Sequence, residues 1–191
     1  MYNIVLDRLP SEYKGYLIRS DFRIGIQINA CLSDSELTTE ERVSSALFLL
    51  FGNGVPEFSI AYAGLIWFLS GGKRDITAED ADDISDSSEP DVMDLEQDIT
   101  YIYSAFIKCY NIDLATERMH WFKFIALLND ISDCMMTNIM DIRTVKLSDI
   151  DKKNRAKVSR LKSKYALERD DNTDEETKAK IDRFNELAGI E

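Results

Sequence analysis

The feature that most constrains the fold of this chain is a run of acidic residues near its middle. Residues 75–99 hold eleven acidic side chains and no basic one. Over residues 75–94 these acids are mixed with serines and a proline, so the segment cannot bury enough apolar surface to offset the entropy of ordering it. The composition predicts a disordered acidic loop between two helical regions. We interpret the loop as a solvated connector; the alternative is an acidic decoy that shields a basic surface from nucleic acid.

Before the acidic run, the apolar spacing changes from extended to helical. A glycine between two short apolar runs predicts a small β-hairpin over about 13–18. Helical spacing begins at Asp21. A capping-box pattern at Thr38 predicts a helix that ends at Gly52, and a third helix is expected over 57–70.

After the acidic run, the helical pattern resumes. A stripe at i, i+3, i+4 and i+7 predicts a helix that Asn111 ends, and Trp121 opens the next stripe. The remaining predictions are a short helix over 132–140, an extended stretch over 143–147, and a basic helix capped by Asp149 or Asp151 that runs to about Leu167. The predicted fold is mainly α: a small N-terminal β-hairpin followed by six or seven packed helices with a disordered acidic loop.

The same patterns give a domain organisation. We expect a single helical domain over 1–167, with the acidic insertion at about 75–94. Residues 168–191 hold nine acidic and four basic side chains and form an acidic C-terminal tail. A helix over 174–187 is expected only when that tail is docked.

Charge and apolar content exclude several classes of function. The formal net charge of −12 disfavours general binding to nucleic acid and to anionic membranes. No apolar run is long enough to cross a bilayer, and the first residues lack the pattern of a secretory signal. The three cysteines are odd in number and lack CxxC spacing, so we expect reduced, mostly buried thiols and a cytoplasmic protein.

The side chains that usually carry catalysis are sparse. The single histidine, His120, is expected to pack or to cap a helix; a pair with Cys134 is conceivable. The Gly71-Gly72-Lys73 sequence follows a helix, so it indicates a helix stop rather than a phosphate cradle. The acidic run lacks the glycine and distal glutamate of a calcium loop. We therefore predict no enzyme activity, no catalytic residue, no cofactor, no metal and no small-molecule ligand.

The basic helix over 152–164 is the one concentration of positive charge. It could be a footprint for nucleic acid or for a regulatory partner. The alternative is a solvated helix that is neutralised by the acidic tail or by a partner. This second interpretation is favoured because no aromatic platform accompanies the charges. The candidate partner-binding residues are Lys152, Arg155, Arg160, Lys162 and Lys164.

Short motifs along the chain resemble one known family. They begin with Leu9-Pro10 and the hairpin and continue through residues 20–27 (SDFRIGIQ), 66–68 (IWF), 71–73 (GGK), 98, 101–106 (YIYSAF), 110–114 (YNIDL), 120–127 (HWFKFIAL), 139–140 (IM), 143, 147–148 (LS) and 164–167 (KYAL). In order and spacing over about 5–167 they resemble the short tail-assembly proteins of long-tailed phages and prophages of Gram-positive bacteria, which are encoded beside the tape-measure gene. The residues after Leu167 have no counterpart in this resemblance.

The resemblance implies a non-enzymatic chaperone of tail assembly. Such a protein would bind the phage tape-measure protein, the tail-tube protein, or both, in the cytoplasm of the bacterial host, and would be absent from the mature virion. A long tape-measure helix exposes apolar stripes that a small helical protein can cover. Two alternatives stay open, which are a nucleic-acid or regulatory module that uses the basic helix and a structural subunit of the finished tail. Trp67, Trp121 and Phe124 are expected in the core rather than in a partner groove.

Overall fold

The computed structural model describes residues 6–73 and 92–168 of the chain. These residues divide into two compact units, one of 6–73 with 118–126 and one of 92–117 with 127–168. The described part holds seven α-helices and one pair of short antiparallel strands, so the mainly α fold with an N-terminal hairpin is confirmed. Most of the predicted acidic loop, and the expected helix over 174–187, lie outside the described residues. The single-domain organisation stays a prediction.

The hairpin opens the first unit. Strand β1 (Glu12–Tyr13) pairs with strand β2 (Tyr16–Leu17) in the antiparallel direction. The turn residues have positive φ, 48° at Lys14 and 87° at Gly15, as a two-residue type I′ turn requires. Tyr13 is buried, and its ring lies 5.0 Å from that of Trp67.

Three helices follow the hairpin and begin where the sequence predicts. Helix α1 (Phe22–Ser33) starts after Asp21, whose carboxylate accepts a hydrogen bond from the Arg23 backbone N–H at 2.9 Å. Helix α2 (Thr39–Phe51) starts after Thr38, and α3 (Phe58–Leu69) starts after Glu57. Helix α1 packs on α2, and α2 packs on α3.

The capping box at the start of α2 is confirmed. The backbone N–H of Thr38 donates to the Glu41 carboxylate at 2.9 Å, and the Glu41 N–H donates to the Thr38 hydroxyl at 3.3 Å. Hydrogen bonds from the Thr38 backbone and then from its hydroxyl hold the pKa of Glu41 below its ordinary value. Helix α2 ends at Gly52, which has a φ of 64°.

A later segment returns to complete the first unit. The Phe22 N–H donates to the Met119 carbonyl at 2.9 Å, and the Trp121 N–H donates to the Ser20 carbonyl at 2.8 Å. These two bonds set Asp21 opposite His120 in an antiparallel bridge. Helix α5 (Trp121–Leu128) begins at this bridge, so its first residues enter the core of the first unit.

That core is aromatic. The Trp121 ring lies 5.9 Å from Phe68 and 5.6 Å from Phe124, and Phe124 stacks on Phe22 at 5.0 Å. Trp67 meets Phe122 edge-on at 5.2 Å. The predicted core positions of Trp67, Trp121 and Phe124 are confirmed, since all three side chains are buried.

Gly25 makes this packing possible. The Trp121 ring lies directly against the Gly25 backbone in α1, and a Cβ at Gly25 would overlap the indole carbons. Gly64 in α3 is similar, because a Cβ there would lie 2.8 Å from Tyr13 Cδ1 and 2.9 Å from Phe51 Cζ. Both glycines therefore permit aromatic rings to contact a helix backbone.

The second unit contains helix α4 (Ile99–Tyr110), the end of α5, helix α6 (Met135–Thr144) and helix α7 (Lys152–Lys164). Helix α6 contacts both α4 and α7. Asn111 ends α4, as predicted, and it has the left-handed conformation with φ 54° and ψ 36°. Asp151, one of the two predicted caps, precedes α7, which ends three residues before the predicted Leu167.

The predicted boundaries of α6 are wrong. Asp133 has a φ of 49°, and the Cys134 N–H donates to the Thr137 hydroxyl at 3.2 Å, so the helix starts at Met135 instead of residue 132. At its other end the helix includes Arg143 and Thr144, which were expected to be extended. The reason for the later end is tertiary, because the Lys162 ammonium donates to the Arg143 and Val145 carbonyls there.

We expect Gly25→Ala to destabilise the protein by about 1–3 kcal/mol, because the new methyl group would displace the Trp121 ring. This loss would occur although alanine favours a helix over glycine by about 1 kcal/mol. Urea denaturation followed by tryptophan fluorescence measures it. Gly54→Ala is the control, since a Cβ at Gly54 meets nothing within 4 Å. Equal stability of the two variants would contradict the assigned packing.

Candidate functional site

His120 has a structural role in the first unit. Its Nδ1 accepts a hydrogen bond from the Phe122 backbone N–H at 3.0 Å, and its Nε2 lies 2.9 Å from the Pro10 carbonyl. The second contact assigns the proton to Nε2, which donates to Pro10. The ring thus caps the first turn of α5 and ties it to the segment before the hairpin, as the predicted packing or capping role requires.

Cys134 contacts a residue of the second unit rather than His120. It belongs to the second unit, is buried, and its Sγ lies 3.8 Å from the Thr137 hydroxyl. Both ring nitrogens of His120 have backbone partners, so the conceivable Cys134–His120 pair gains no support. All three cysteines are free thiols, but Cys31 and Cys109 are only partly buried, so the expectation of mostly buried thiols is wrong for two of them.

Arg143 and Asp98 form the charged centre of the second unit. The guanidinium donates twice to the Asp98 carboxylate, at 2.6 Å from Nη1 and 2.9 Å from Nη2. Arg143 also donates to the carbonyls of Val92 at 2.9 Å and Tyr165 at 2.6 Å. Asp98 is 2% exposed, so this ion pair is buried and joins α6 to the segments that precede α4 and follow α7.

The candidate partner-binding residues of α7 fall into two groups. Lys162 is partly buried and donates to the last carbonyls of α6, and Arg155 donates to the carbonyls of Ile150 at 2.9 Å and Ser148 at 3.2 Å. These two side chains hold α7 in place. Lys152, Arg160 and Lys164 are exposed. Their role as partner contacts stays a prediction.

A basic stripe runs along the exposed face of α7. Its members are spaced at i, i+4, i+7 and i+11, which places them on one side of a helix. All four are exposed, and α7 itself carries no acidic residue. We use the name basic stripe for these four residues, which are Lys153, Lys157, Arg160 and Lys164.

An apolar stripe lies on the exposed face of α4. Ile99 and Ile107 are 36% and 41% exposed, with the partly exposed Tyr103 between them at the same four-residue spacing. The Tyr103 hydroxyl donates to the Asp113 carboxylate at 3.1 Å, which raises the pKa of Tyr103 above its ordinary value. We call Ile99, Tyr103 and Ile107 the apolar stripe. Its spacing suits contact with an apolar face of another helix.

The described residues contain no group of three or more His, Cys, Asp or Glu side chains that could hold a metal ion. In the same ranges, no single helix is long and apolar enough to cross a membrane. One bent pair, Thr39–Gly54 with Phe58–Leu69, passes the same test of length and composition with a 104° bend between its members.

The fold defines a small, mainly α-helical protein, and a comparison with known families shows which family it belongs to. A family described as Bacteriophage Gp15 protein matches residues 5–167. The chain belongs to this bacteriophage family. No curated protein and no solved structure matches it.

Several of the motifs that carry the resemblance contain residues that hold each of the two units together internally. Residues 20–27 and 120–127 are the two segments that pair and stack in the first unit. Asp98, Arg143 and Tyr165 meet in the second unit. Sequence reasoning did not find this triad, although an acidic residue before one helix and an arginine in the predicted extended stretch over 143–147 were its visible signals.

We expect Arg143→Met to cost about 3–5 kcal/mol in the free energy of unfolding, because it leaves the buried Asp98 carboxylate without its counter-charge. Arg155→Met is the matched control: that arginine also donates to two carbonyls but is exposed, so its loss should cost about 1 kcal/mol or less. Adding Asp98→Leu to Arg143→Met should recover part of the stability. No recovery, together with equal losses in the two single variants, would refute a buried ion pair.

Acidification should destabilise the protein through His120. Burial lowers the pKa of His120, and the smaller opposing effect is the hydrogen bond to Pro10. The unfolded chain therefore binds the proton at higher pH, and stability falls as the pH drops below about 6.5. In His120→Asn, whose amide can still cap α5, urea denaturation at pH 7.5 and 5.5 should show a smaller difference than in the native protein. If the difference is unchanged, His120 is not the cause of the loss of stability at low pH.

Proposed function

We propose that this protein is a non-enzymatic chaperone of phage tail assembly that binds the tape-measure protein, the tail-tube protein, or both. The observation that carries the proposal is its membership of a bacteriophage family over residues 5–167. The sequence motifs resemble tail-assembly proteins encoded beside the tape-measure gene. In this proposal the protein acts in the host cytoplasm and leaves the tail before the virion is complete.

The apolar stripe supports the proposal because it is an exposed surface that an apolar helix face of a partner could cover. A tape-measure protein is a long helix whose apolar faces aggregate unless another protein covers them. Ile99, Tyr103 and Ile107 cover about 12 Å of α4 at a rise of 1.5 Å per residue, which matches two turns of a partner helix. The chain's net charge of −12 would help keep such a complex soluble.

Co-expression with the tape-measure protein of the same phage tests the proposal. Affinity capture of either protein, followed by size-exclusion chromatography, should yield a soluble complex, and the soluble fraction of the tape-measure protein should rise. The tail-tube protein is tested in the same way. If both phage proteins stay insoluble and neither is captured, the chaperone function is wrong.

Two pairs of variants locate the contact. Ile99→Ser with Ile107→Ser should reduce capture about tenfold, because it removes apolar area that the partner helix would bury. Leu17→Ser with Val55→Ser is the control, since these aliphatic side chains are also exposed but lie in the first unit. Equal loss in both pairs would remove the apolar stripe from the proposal while leaving the function open to the co-expression result.

A structural tail subunit is the competing role, and it differs in where the protein ends up. Quantitative mass spectrometry of purified virions and of the infected-cell lysate separates the two roles. The chaperone should be abundant in the lysate and absent from virions. A fixed copy number in every virion would identify a structural subunit instead.

A further inference from the structure

The basic stripe of α7 is a charged surface that the packing of the second unit does not use. Lys162 and Arg155 anchor the helix by donating to backbone carbonyls, and the partly buried Val158, Leu161 and Tyr165 face inward. The helix is therefore fixed, and its opposite face projects basic side chains that need no rearrangement to meet a partner.

Carboxylates in the described ranges do not neutralise the stripe. Two ion pairs are found there, Arg23 with Asp21 and Arg143 with Asp98, and neither involves α7. Helix α7 itself contains seven basic residues and no acidic one. Of the stripe residues, Lys164 lies 5.0 Å from the centre of the Tyr165 ring, a contact that leaves its charge in place.

The spacing of these charges points to the kind of partner. From Lys153 to Lys164 the stripe rises by eleven residue steps, or about 16 Å, and so presents about one positive charge every 5 Å. A helix with a carboxylate every three or four residues presents negative charge at the same interval. Duplex DNA presents one negative charge per about 1.7 Å, which is a much closer spacing than that of the stripe. The chain's net charge of −12 would also repel DNA.

We propose that the basic stripe is a docking surface for an acidic helical segment of a partner protein. Binding rests on four exposed ion pairs, so it is weak, fast and dependent on salt. The proposal does not depend on the tail-assembly function, because it concerns α7 and a different chemistry from the apolar stripe of α4.

Fluorescence anisotropy with the full-length protein tests this surface at 50 mM and 300 mM salt. The probe is a labelled 20-residue alanine- and glutamine-based peptide with four glutamates at i, i+4, i+7 and i+11. A second peptide has the same composition with its glutamates spread around the helix, and a labelled 20-nucleotide single-stranded DNA is the third probe. We expect the aligned peptide to bind at least about fivefold more tightly than the other two at low salt, and to be released at high salt.

The test variant replaces the whole stripe by glutamine: Lys153→Gln, Lys157→Gln, Arg160→Gln and Lys164→Gln. It should bind the aligned peptide about tenfold more weakly, since each exposed pair contributes a modest factor. The control variant removes the same number of exposed positive charges outside α7: Arg8→Gln, Lys73→Gln, Arg118→Gln and Lys123→Gln. Its affinity should stay within about twofold of the native value.

Circular dichroism and thermal melting verify that both variants are folded before binding is compared. The proposal is overturned if the aligned peptide does not bind at low salt, if the two peptides bind equally, or if both variants lose the same affinity. Tighter binding of the DNA than of the aligned peptide also overturns it and would identify α7 as a nucleic-acid surface. Capture of the tape-measure protein is measured separately, so either proposal can fail without the other.

Discussion

The first unit depends on one contact, the packing of the Trp121 ring against the backbone of Gly25. The two hydrogen bonds that link residues 20–22 to 119–121 hold the tryptophan at this position. From there its ring reaches Phe68 and Phe124, and His120 caps the helix that carries it. A side chain at Gly25 would separate α1 from this aromatic core. Residues 20–27 and 120–127, which carry part of the resemblance, thus contain the contacts that close the first unit.

Local signals in the sequence predicted local structure well. The N-terminal hairpin, the Thr38 capping box and the end of α4 at Asn111 depend on neighbours within a few residues, and all three predictions are confirmed. The end of α6 could not be predicted in this way, because Lys162 donates to the carbonyls there from another helix. The same holds for Asp98 and Arg143, which are 45 residues apart in sequence and have no periodic pattern that would join them.

The candidate surfaces show a similar division. The basic helix was visible as a charge cluster, but only the structure separates the side chains that donate to backbone carbonyls from those of the basic stripe. Lys162 and Arg155, two of the predicted partner residues, donate to backbone carbonyls, and their role as partner contacts stays a prediction. Lys153 and Lys157, which were not predicted, complete the basic stripe. The apolar stripe was not anticipated, because its isoleucines belong to a pattern that also fills the core. Burial, which depends on tertiary packing, distinguishes the two faces of α4.

Two exposed stripes of different chemistry suit a protein that binds other proteins, as the proposed chaperone of phage tail assembly would, and the chain belongs to a bacteriophage family. The most direct test is a phage whose gene for this protein carries an early stop codon. The control is the same phage with the native protein supplied from a plasmid. Electron microscopy of the lysate should show filled heads without tails, and the plasmid should restore tailed particles. Tails of normal length and number without the protein would contradict a role in their assembly.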